Sequence, residues 1–507
     1  MRKAAILTLI LFLLCASSVY VAASNMYKEH DKVGYTEKIV YGDREIANGL
    51  QVNFRSTYKY HLFWDTTHIL NENRKTETSS EYSFSTFSHY EGNGEEEYQG
   101  VYMDMTAAME NYYHDGESAN RMFSNSGLEK AYQELSDEIE AGQEGEKTIY
   151  LKDYVTYYPL EIRLNLPRND AASREYFEAD DLETYEEEHG IHIIAKLWDY
   201  FKIPVLEEQT LHIHLRKDKE GRVINHGSSS TESDAFYMYT YGVTTDNACY
   251  FTFDTATKYE NRIDTSHLPE GYGIYTFSYE RKEMNTGTYG DKPLMAVADA
   301  ESFGLFYPLN PEIQIIAIKT NEEQDRVLLH AIEDNVYYML VIDIATRQMV
   351  QKLEIARWDE EYVPGWSNIC DKDNFMVLVL GGEKLAVVTL EVDGKYKLQY
   401  VCSIREKEHL PVQKEDGTLE EVIPWLNYYR ADADFDGEKL VMTAQLIDDE
   451  YRTREDTVNF YVAVYTKDGM QYYGEYRSSL STGTDHDSYN YHCRGTDYVP
   501  VKVEWME

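Results

Sequence analysis

The chain has 507 residues and a formal net charge of −42 at neutral pH, with 46 tyrosines, 11 prolines and five cysteines. Acidity on that scale repels phosphate backbones and anionic membrane surfaces, so it argues against nucleic acid and leaves basic partners and divalent cations open. The same charge keeps an exported chain soluble without any such partner.

The N-terminal segment places Arg2 and Lys3 before an apolar stretch from Ala4 to Ala23, broken only by Thr8, Ser17 and Ser18. Val21 and Ala23 are small residues at the −3 and −1 positions of a signal-peptidase site, with cleavage before Ser24. At about 1.5 Å rise per residue, the same stretch also just suffices for a single retained anchor. Cys15 does not make a lipoprotein site, because Leu14 stands where a small residue is wanted. Residues 1–23 therefore read as a signal peptide or single membrane anchor and residues 24–34 as a linker. Either way the remainder is expected to be extracytoplasmic, secreted or held at the outer face of the cytoplasmic membrane, touching the bilayer only through an uncleaved N-terminal segment.

From residue 35 onward Tyr, Val, Ile, Thr and Phe cluster in short alternating runs, the pattern of strands. GLQVNFRSTYKYHLFW (49–64) and KTIYLKDYVTYYPLEIRLNL (147–166) are examples. HLFWDTTH (61–68) gathers Trp64, Asp65 and two histidines, which an aromatic core strand explains more simply than a sugar-stacking surface. EGNGEEE, with Glu91, Glu95, Glu96 and Glu97, reads as an exposed loop. One helix is predicted over 126–142: Ser126 caps it with Glu129 three residues on. Leu128, Tyr132, Leu135 and Ile139 line one face, and Gly142 suits the left-handed end. A weaker, solvated candidate spans 174–190. The adjoining EEEHGIH, with His189 and His192, lacks the ligand spacing of helical metalloprotease sites.

TLHIHLRKDKEGRVINH (210–226) reads as a hairpin. Asp218-Lys219-Glu220-Gly221 suits a type I turn with a glycine bulge, pairing Asp218 with Arg222 and therefore His214 with His226. His212 lies two residues from His214 and shares its face. In that register His212, His214 and His226 project together and could hold zinc. The arrangement resembles the ligand set of carbonic-anhydrase-type zinc sites, although nothing else in the chain does. The competing reading makes His212 and His214 the wet face of a strand whose other face is Leu211, Ile213 and Leu215. A one-residue slip would send His226 to the opposite side.

Two further stretches carry ligand-type side chains. In DADFDG (432–437) the aspartates alternate before Gly437, but a calcium loop of the EF-hand type needs a bidentate Glu where Thr443 stands, and KLVMTAQL alternates as a strand. Asp436-Gly437 therefore reads as a hairpin turn, because Gly tolerates positive φ and Asp caps its own turn; the alternative is a non-helical calcium site on the same carboxylates, Asp432, Asp434 and Asp436. DHDSYNYHC offers Asp485, His486, Asp487, His492 and Cys493 at no spacing typical of a metal site. Beyond residue 23, Cys249, Cys370, Cys402 and Cys493 permit two disulfides in three pairings, or separate buried thiols.

The second half repeats itself. YFTFDTATKYENRI (from Tyr250) matches LVIDIATRQMVQKL (from Leu340) as strand, Asp-x-Ala-Thr, strand. Asp254 and Asp343 lie two units of about 45 residues apart, the length of propeller blades. AVVTLEVDGKYKLQYV puts Glu391 in the Asp position, and YVAVYTKDGMQYYGEY puts Tyr465 there, after an inserted loop at 404–430. Each copy reads as the inner-to-outer hairpin of a four-stranded blade. The pattern resembles generic quinoprotein-like or YVTN-like β-propeller repeats of uncharacterised exported or membrane-anchored bacterial proteins, and implies an architecture without a functional family. The expected fold is mainly β, with β-propeller-like blades over 234–507 and one inserted capped helix. Residues 35–233 form a β-rich region of divergent blades or a separate domain.

The chain has no GxSxG elbow, P-loop, GxGxxG after a strand or HExxH. Carboxylate pairs for glycoside hydrolysis are unremarkable among 90 acidic residues. No catalytic residue is assigned. The leading expectation is a non-enzymatic extracytoplasmic protein that needs no cofactor and binds a protein or carbohydrate ligand. The alternatives are a secreted carbohydrate-active hydrolase or lyase, and a zinc-binding surface protein using His212, His214 and His226. Zinc or calcium enters only through the sites above.

Overall fold

A computed structural model describes residues 11–21, 35–58, 62–71, 76–84, 100–105, 110–114, 117–118, 127–157, 160–166, 193–205, 207–230, 239–254, 263–283, 294–358, 368–372, 374–404, 410–413, 419–422, 431–445, 460–478 and 502–506. The fold is mainly β: the described residues form three four-stranded and three five-stranded antiparallel sheets of the propeller-blade kind, and two two-stranded ones. Residues 11–21 are helical, and among the described residues no helix is long and apolar enough to cross a membrane. The chain divides into two compact units, residues 96–361 and residues 1–95 with 362–507. The boundary expected at 233/234 falls inside the first of these, where one core joins Val101 and Ile213 to Phe251 and Val327.

In the 96–361 unit the clearest blade is Gln314–Thr320, Arg326–Glu333, Val336–Asp343 and Gln348–Arg357, each strand paired with the next. Its two central strands are buried along nearly their whole length, so they read as apolar runs. Asp334 and Asn335 take positive φ in the two-residue turn between them. Asp343 then closes the third strand: its Oδ1 accepts from the Thr346 amide at 2.8 Å and the Thr346 hydroxyl at 2.7 Å. The repeated Asp-x-Ala-Thr string is therefore turn chemistry.

That chemistry explains why one repeat anchor fails. In the 1–95/362–507 unit, Glu391 follows the third strand of the sheet Asn368–Asp371, Phe375–Leu380, Lys384–Leu390, Tyr396–Ser403. Tyr465 lies near the end of the third strand of Asp432–Phe435, Leu440–Gln445, Phe460–Thr466, Gly469–Ser478. Asp343, Glu391 and Tyr465 are thus equivalent. Asp254 is not: it ends the second strand of Tyr239–Thr244, Ala248–Asp254, Gly273–Glu283, Leu294–Ala298, opposite Tyr239. A turn-capping string can serve any strand end, so it does not specify a place within a sheet.

A nine-residue helix, Ile193–Phe201, was not anticipated; the stretch 174–190 lies outside the described residues. Ile193, Ile194, Leu197 and Phe201 are all buried, and the Phe201 ring meets Tyr275 edge-on at 4.8 Å. Cys249 and Cys402 are buried and Cys370 is half-buried, and no disulfide joins described residues; Cys493 lies outside them. Burial pushes the Cys402 thiol up to about 12.

Within the 1–95/362–507 unit the ends of the chain interlace. Tyr35–Gly42 adds a fifth strand to the sheet of residues 432–478, pairing Tyr35 with Ser478 and Gly42 with Tyr472. Lys502–Trp505 adds a strand to Leu50–Tyr58, Leu62–Leu70 and Thr76–Phe84, pairing Leu50 with Trp505 and Asn53 with Lys502. Gly42 permits the first exchange: its φ is +74°, and a Cβ there would stand 1.9 Å from the Gln471 carbonyl oxygen.

Beneath the first exchange lies a buried polar cluster. The Arg44 side chain is wholly buried, with Nε 2.8 Å from Glu37 Oε1 and Nη1 donating to Asn48 Oδ1 at 2.8 Å. The Tyr472 and Tyr476 hydroxyls donate to the same Glu37 oxygen at 2.9 and 3.2 Å. His68, from the core-strand reading of residues 61–68, packs edge-on against Tyr476 at 5.2 Å, with Nδ1 2.8 Å from the Thr78 hydroxyl. Burial first, and the Arg44 charge second, lower its pKa to about 4.

The second exchange is held from both sides. Met506 N–H donates to the Gly49 carbonyl at 2.8 Å, and alternate amides of the same strand point the other way. Of those, Val503 N–H donates to Asp432 Oδ2 at 2.8 Å and Trp505 N–H to Asp434 Oδ2 at 2.7 Å. Alternate carboxylates on one strand match alternate amides on another because both repeat every two residues, at about 3.3 Å per residue. Lys372 pairs with the other oxygen of Asp432, and Lys439 Nζ lies 4.0 Å from the Trp505 ring centre.

Two outcomes follow from these contacts. Asp434→Ala strands the Trp505 amide and should lower stability by about 1–3 kcal/mol in urea unfolding. Asp436→Ala, which disturbs only a turn, should cost less. For His68 the folded pKa of about 4 lies below the 6.5 of the open chain. The unfolded state therefore takes the proton first, and stability should fall by about 3 kcal/mol as pH drops from 6.5 towards 4. His68→Gln should flatten that part of the pH–stability curve.

Candidate functional site

The site grows from a sheet in the 96–361 unit whose two faces differ. Its order is Glu117–Ser118, Glu110–His114, Val223–Ser230, Thr210–Lys217, Glu144–Tyr150. Leu211, Ile213 and Leu215 are buried on one face, in the same core as Ala131 and Leu135 of the helix Gly127–Glu138. This is the helix predicted over 126–142, shorter at its C-terminal end; Ser126 lies outside the described residues. Lys217 Nζ fastens that end, donating to the carbonyls of Ser136 at 2.6 Å and Ile139 at 3.1 Å. Gly142, at φ +79°, donates its N–H to the Asp218 carbonyl at 2.7 Å. Tyr154 adds a bond from its hydroxyl to Glu134 at 2.7 Å, and that carboxylate raises the phenol to about 12.

The opposite face is polar. Register sets Glu144 beside Arg216, Glu146 beside His214 and Thr148 beside His212. Across the hairpin Arg216 faces Asn225 and His214 faces Gly227. His212 Nε2 lies 3.2 Å from Glu146 Oε2 and its Nδ1 3.4 Å from the Thr148 hydroxyl. A cleft of about 800 Å³ opens here, lined by Glu144, Glu146, His214, Arg216, Ile224 and Asn225 among others.

The three histidines do not share this face. The turn forms as expected: Asp218 N–H donates to the Arg222 carbonyl at 2.9 Å, and Asp218 Oδ2 holds Arg222 Nε at 2.7 Å. A β-bulge follows, because Lys217 pairs with Val223 but Arg216 pairs with Asn225, leaving Ile224 unpaired. The extra residue slips the register by one, and His226 falls opposite Leu215 instead of His214. It packs edge-on against Tyr132 of the helix at 4.6 Å. Burial, then the neighbouring His214, pull its pKa below the ordinary imidazole value. Among the described residues no three His, Cys, Asp or Glu side chains are grouped to hold a metal ion.

What remains at the cleft is two carboxylates, the His214 imidazole, a guanidinium and an amide on neighbouring strands, with His212 beside Glu146 on the same face. Such a surface can accept, donate and ion-pair with a polar ligand laid across the sheet. The hairpin reading missed Glu144 and Glu146 because it stopped at two strands. The signal was the alternation of Glu144, Glu146 and Thr148, one polar edge awaiting a neighbour.

The remaining sequence candidates divide in two. Asp436 and Gly437 form the expected turn: Asp436 Oδ1 accepts from the amides of Glu438 and Lys439, and Gly437 has φ +100°. Asp485, His486, Asp487, His492, Cys493, His189, His192 and the 91–97 acidic run lie outside the described residues. The register makes a direct prediction. His226→Ala should destabilise the helix–sheet packing by about 1 kcal/mol in thermal unfolding, whereas His214→Ala on the exposed face should stay within about 0.5 kcal/mol of the parent.

No protein-family model matches the chain, and no curated protein does. Among solved structures it is similar to a protein from Lactobacillus plantarum at 10% identity, TM-score 0.25, over 84% of this chain and 98% of that one. The Swd1 β-propeller domain of Myceliophteria thermophila matches at 9% identity, TM-score 0.21, over 51% of this chain and 67% of that one. A functionally unknown protein from Desulfotomaculum acetoxidans matches at 10% identity, TM-score 0.17, over 52% and 91%. The blade-like architecture rests on the strand pairing itself.

Proposed function

We propose that this is a non-enzymatic extracytoplasmic binding protein whose contact surface is the polar face around Glu144, Glu146, His214 and Arg216. The observation that carries the reading is the division of labour in that sheet: one face is locked to a helix through Leu211, Ile213 and Leu215. The other offers charges of both signs beside a cleft. Rigid strands holding mixed polar groups suit recognition of a polar ligand or a protein surface. Placement outside the cytoplasm is supported by Arg2 and Lys3 ahead of the apolar stretch to Ala23.

The test is a binding screen of the purified chain against soluble cell-wall and plant polysaccharides and a panel of secreted proteins. Saturable binding is expected, weakened by salt and reduced about tenfold or more when Glu146→Ala and Arg216→Ala are combined, a loss of roughly 1.4 kcal/mol. Binding that ignores both substitutions moves the contact surface elsewhere. Release of reducing ends from any polysaccharide would replace this reading with the carbohydrate-active enzyme.

A further inference from the structure

We propose that the edge strand at Leu50–Asn53, together with Asp432 and Asp434, forms a strand-receiving socket that also accepts Lys502–Trp505 from a second copy of this chain. Everything the socket reads is carried by the strand itself. The Met506 amide meets the Gly49 carbonyl on one side, and the Val503 and Trp505 amides meet Asp432 and Asp434 on the other. Val503 is 4% exposed in the core that also holds Leu50, Val52 and Tyr472, and Trp505 packs against that core. Gln51 Nε2 donates to the Glu504 carboxylate at 2.7 Å, and Lys439 covers the Trp505 ring.

None of these contacts depends on the strand arriving from the same molecule. Strand addition to an open edge is a general mode of recognition: backbone hydrogen bonds give affinity and alternate side chains give selectivity. Exchange of an identical element between copies needs no new interface chemistry. An unfilled socket would leave two carboxylates facing an unpaired edge, with Lys372 paired to Asp432. That arrangement favours capture of a strand with amides at alternate positions. The four paired residues make this a small unit to unseat compared with the whole sheet.

Two full-length variants test the exchange by complementation. The acceptor carries Val503→Asp and Trp505→Ala, which spoil its own strand and leave the socket intact. The donor carries Asp432→Ala and Asp434→Ala, which spoil the socket and leave the strand intact. Mixed, they should sediment as a one-to-one complex that neither forms alone. A fluorescent peptide of residues 501–507 should bind the acceptor saturably and the donor at least about tenfold more weakly. The proposal is overturned if an acceptor with a native circular dichroism spectrum takes up neither peptide nor donor strand, or if the donor binds peptide as tightly as the acceptor. Should the double-substituted acceptor unfold, Trp505→Ala alone serves as acceptor, and the same two results decide.

Discussion

A single repeat distance, two residues along an extended chain, underlies both the stitching of the 1–95/362–507 unit and the face offered by the 96–361 unit. At Asp432 and Asp434 it lets a pair of carboxylates take over the role of a neighbouring strand, receiving the amides of Val503 and Trp505 that would otherwise be orphaned. At Glu144, Glu146, His214 and Arg216 it sorts polar groups to one side of a sheet and Leu211, Ile213 and Leu215 to the other. The same arithmetic makes both places sensitive to one inserted residue.

The Arg44–Glu37 pair shows a different economy. Burying a guanidinium is costly, and the pair is tolerable because Glu37 gathers Arg44, Tyr472 and Tyr476 on one carboxylate oxygen. Those residues come from the strand Tyr35–Gly42, the short turn of helix Arg44–Ala47 and the strand Gly469–Ser478. An ion pair of this kind contributes little net stability compared with apolar packing, but removal of either partner leaves an uncompensated charge.

Much of the architecture was legible in the chain. Alternating Tyr, Val and Ile announced strands; the capping pattern at Ser126 and Glu129 announced a helix; Asp436-Gly437 announced a turn. What escaped had physical reasons. Ile193–Phe201 spans only about two and a half helical turns, and its IIAKLWDYF is rich in residues that also suit strands. The Ile224 bulge sits two residues beyond the Asp218–Arg222 turn, which the sequence reads correctly, and no residue type at 224 signals that the ladder will skip there. Asp254 shared a string with Asp343 without sharing its place, because turn chemistry is local while strand order is not. Asp432 and Asp434 show only their alternation within DADFDG; their amide partners, Val503 and Trp505, lie 71 residues away, beyond any pattern read within a window.

The interlacing of early and late strands bears on how the molecule is made. Tyr35–Gly42 and Leu50–Tyr58 leave the ribosome long before residues 469–478 and 502–505 that complete their sheets. Until then two β edges stand open, and pairing across such sequence distance is slow. A nascent chain of this kind is exposed to adhesion with its neighbours throughout synthesis, which places its greatest demand on chaperones before the last strand arrives.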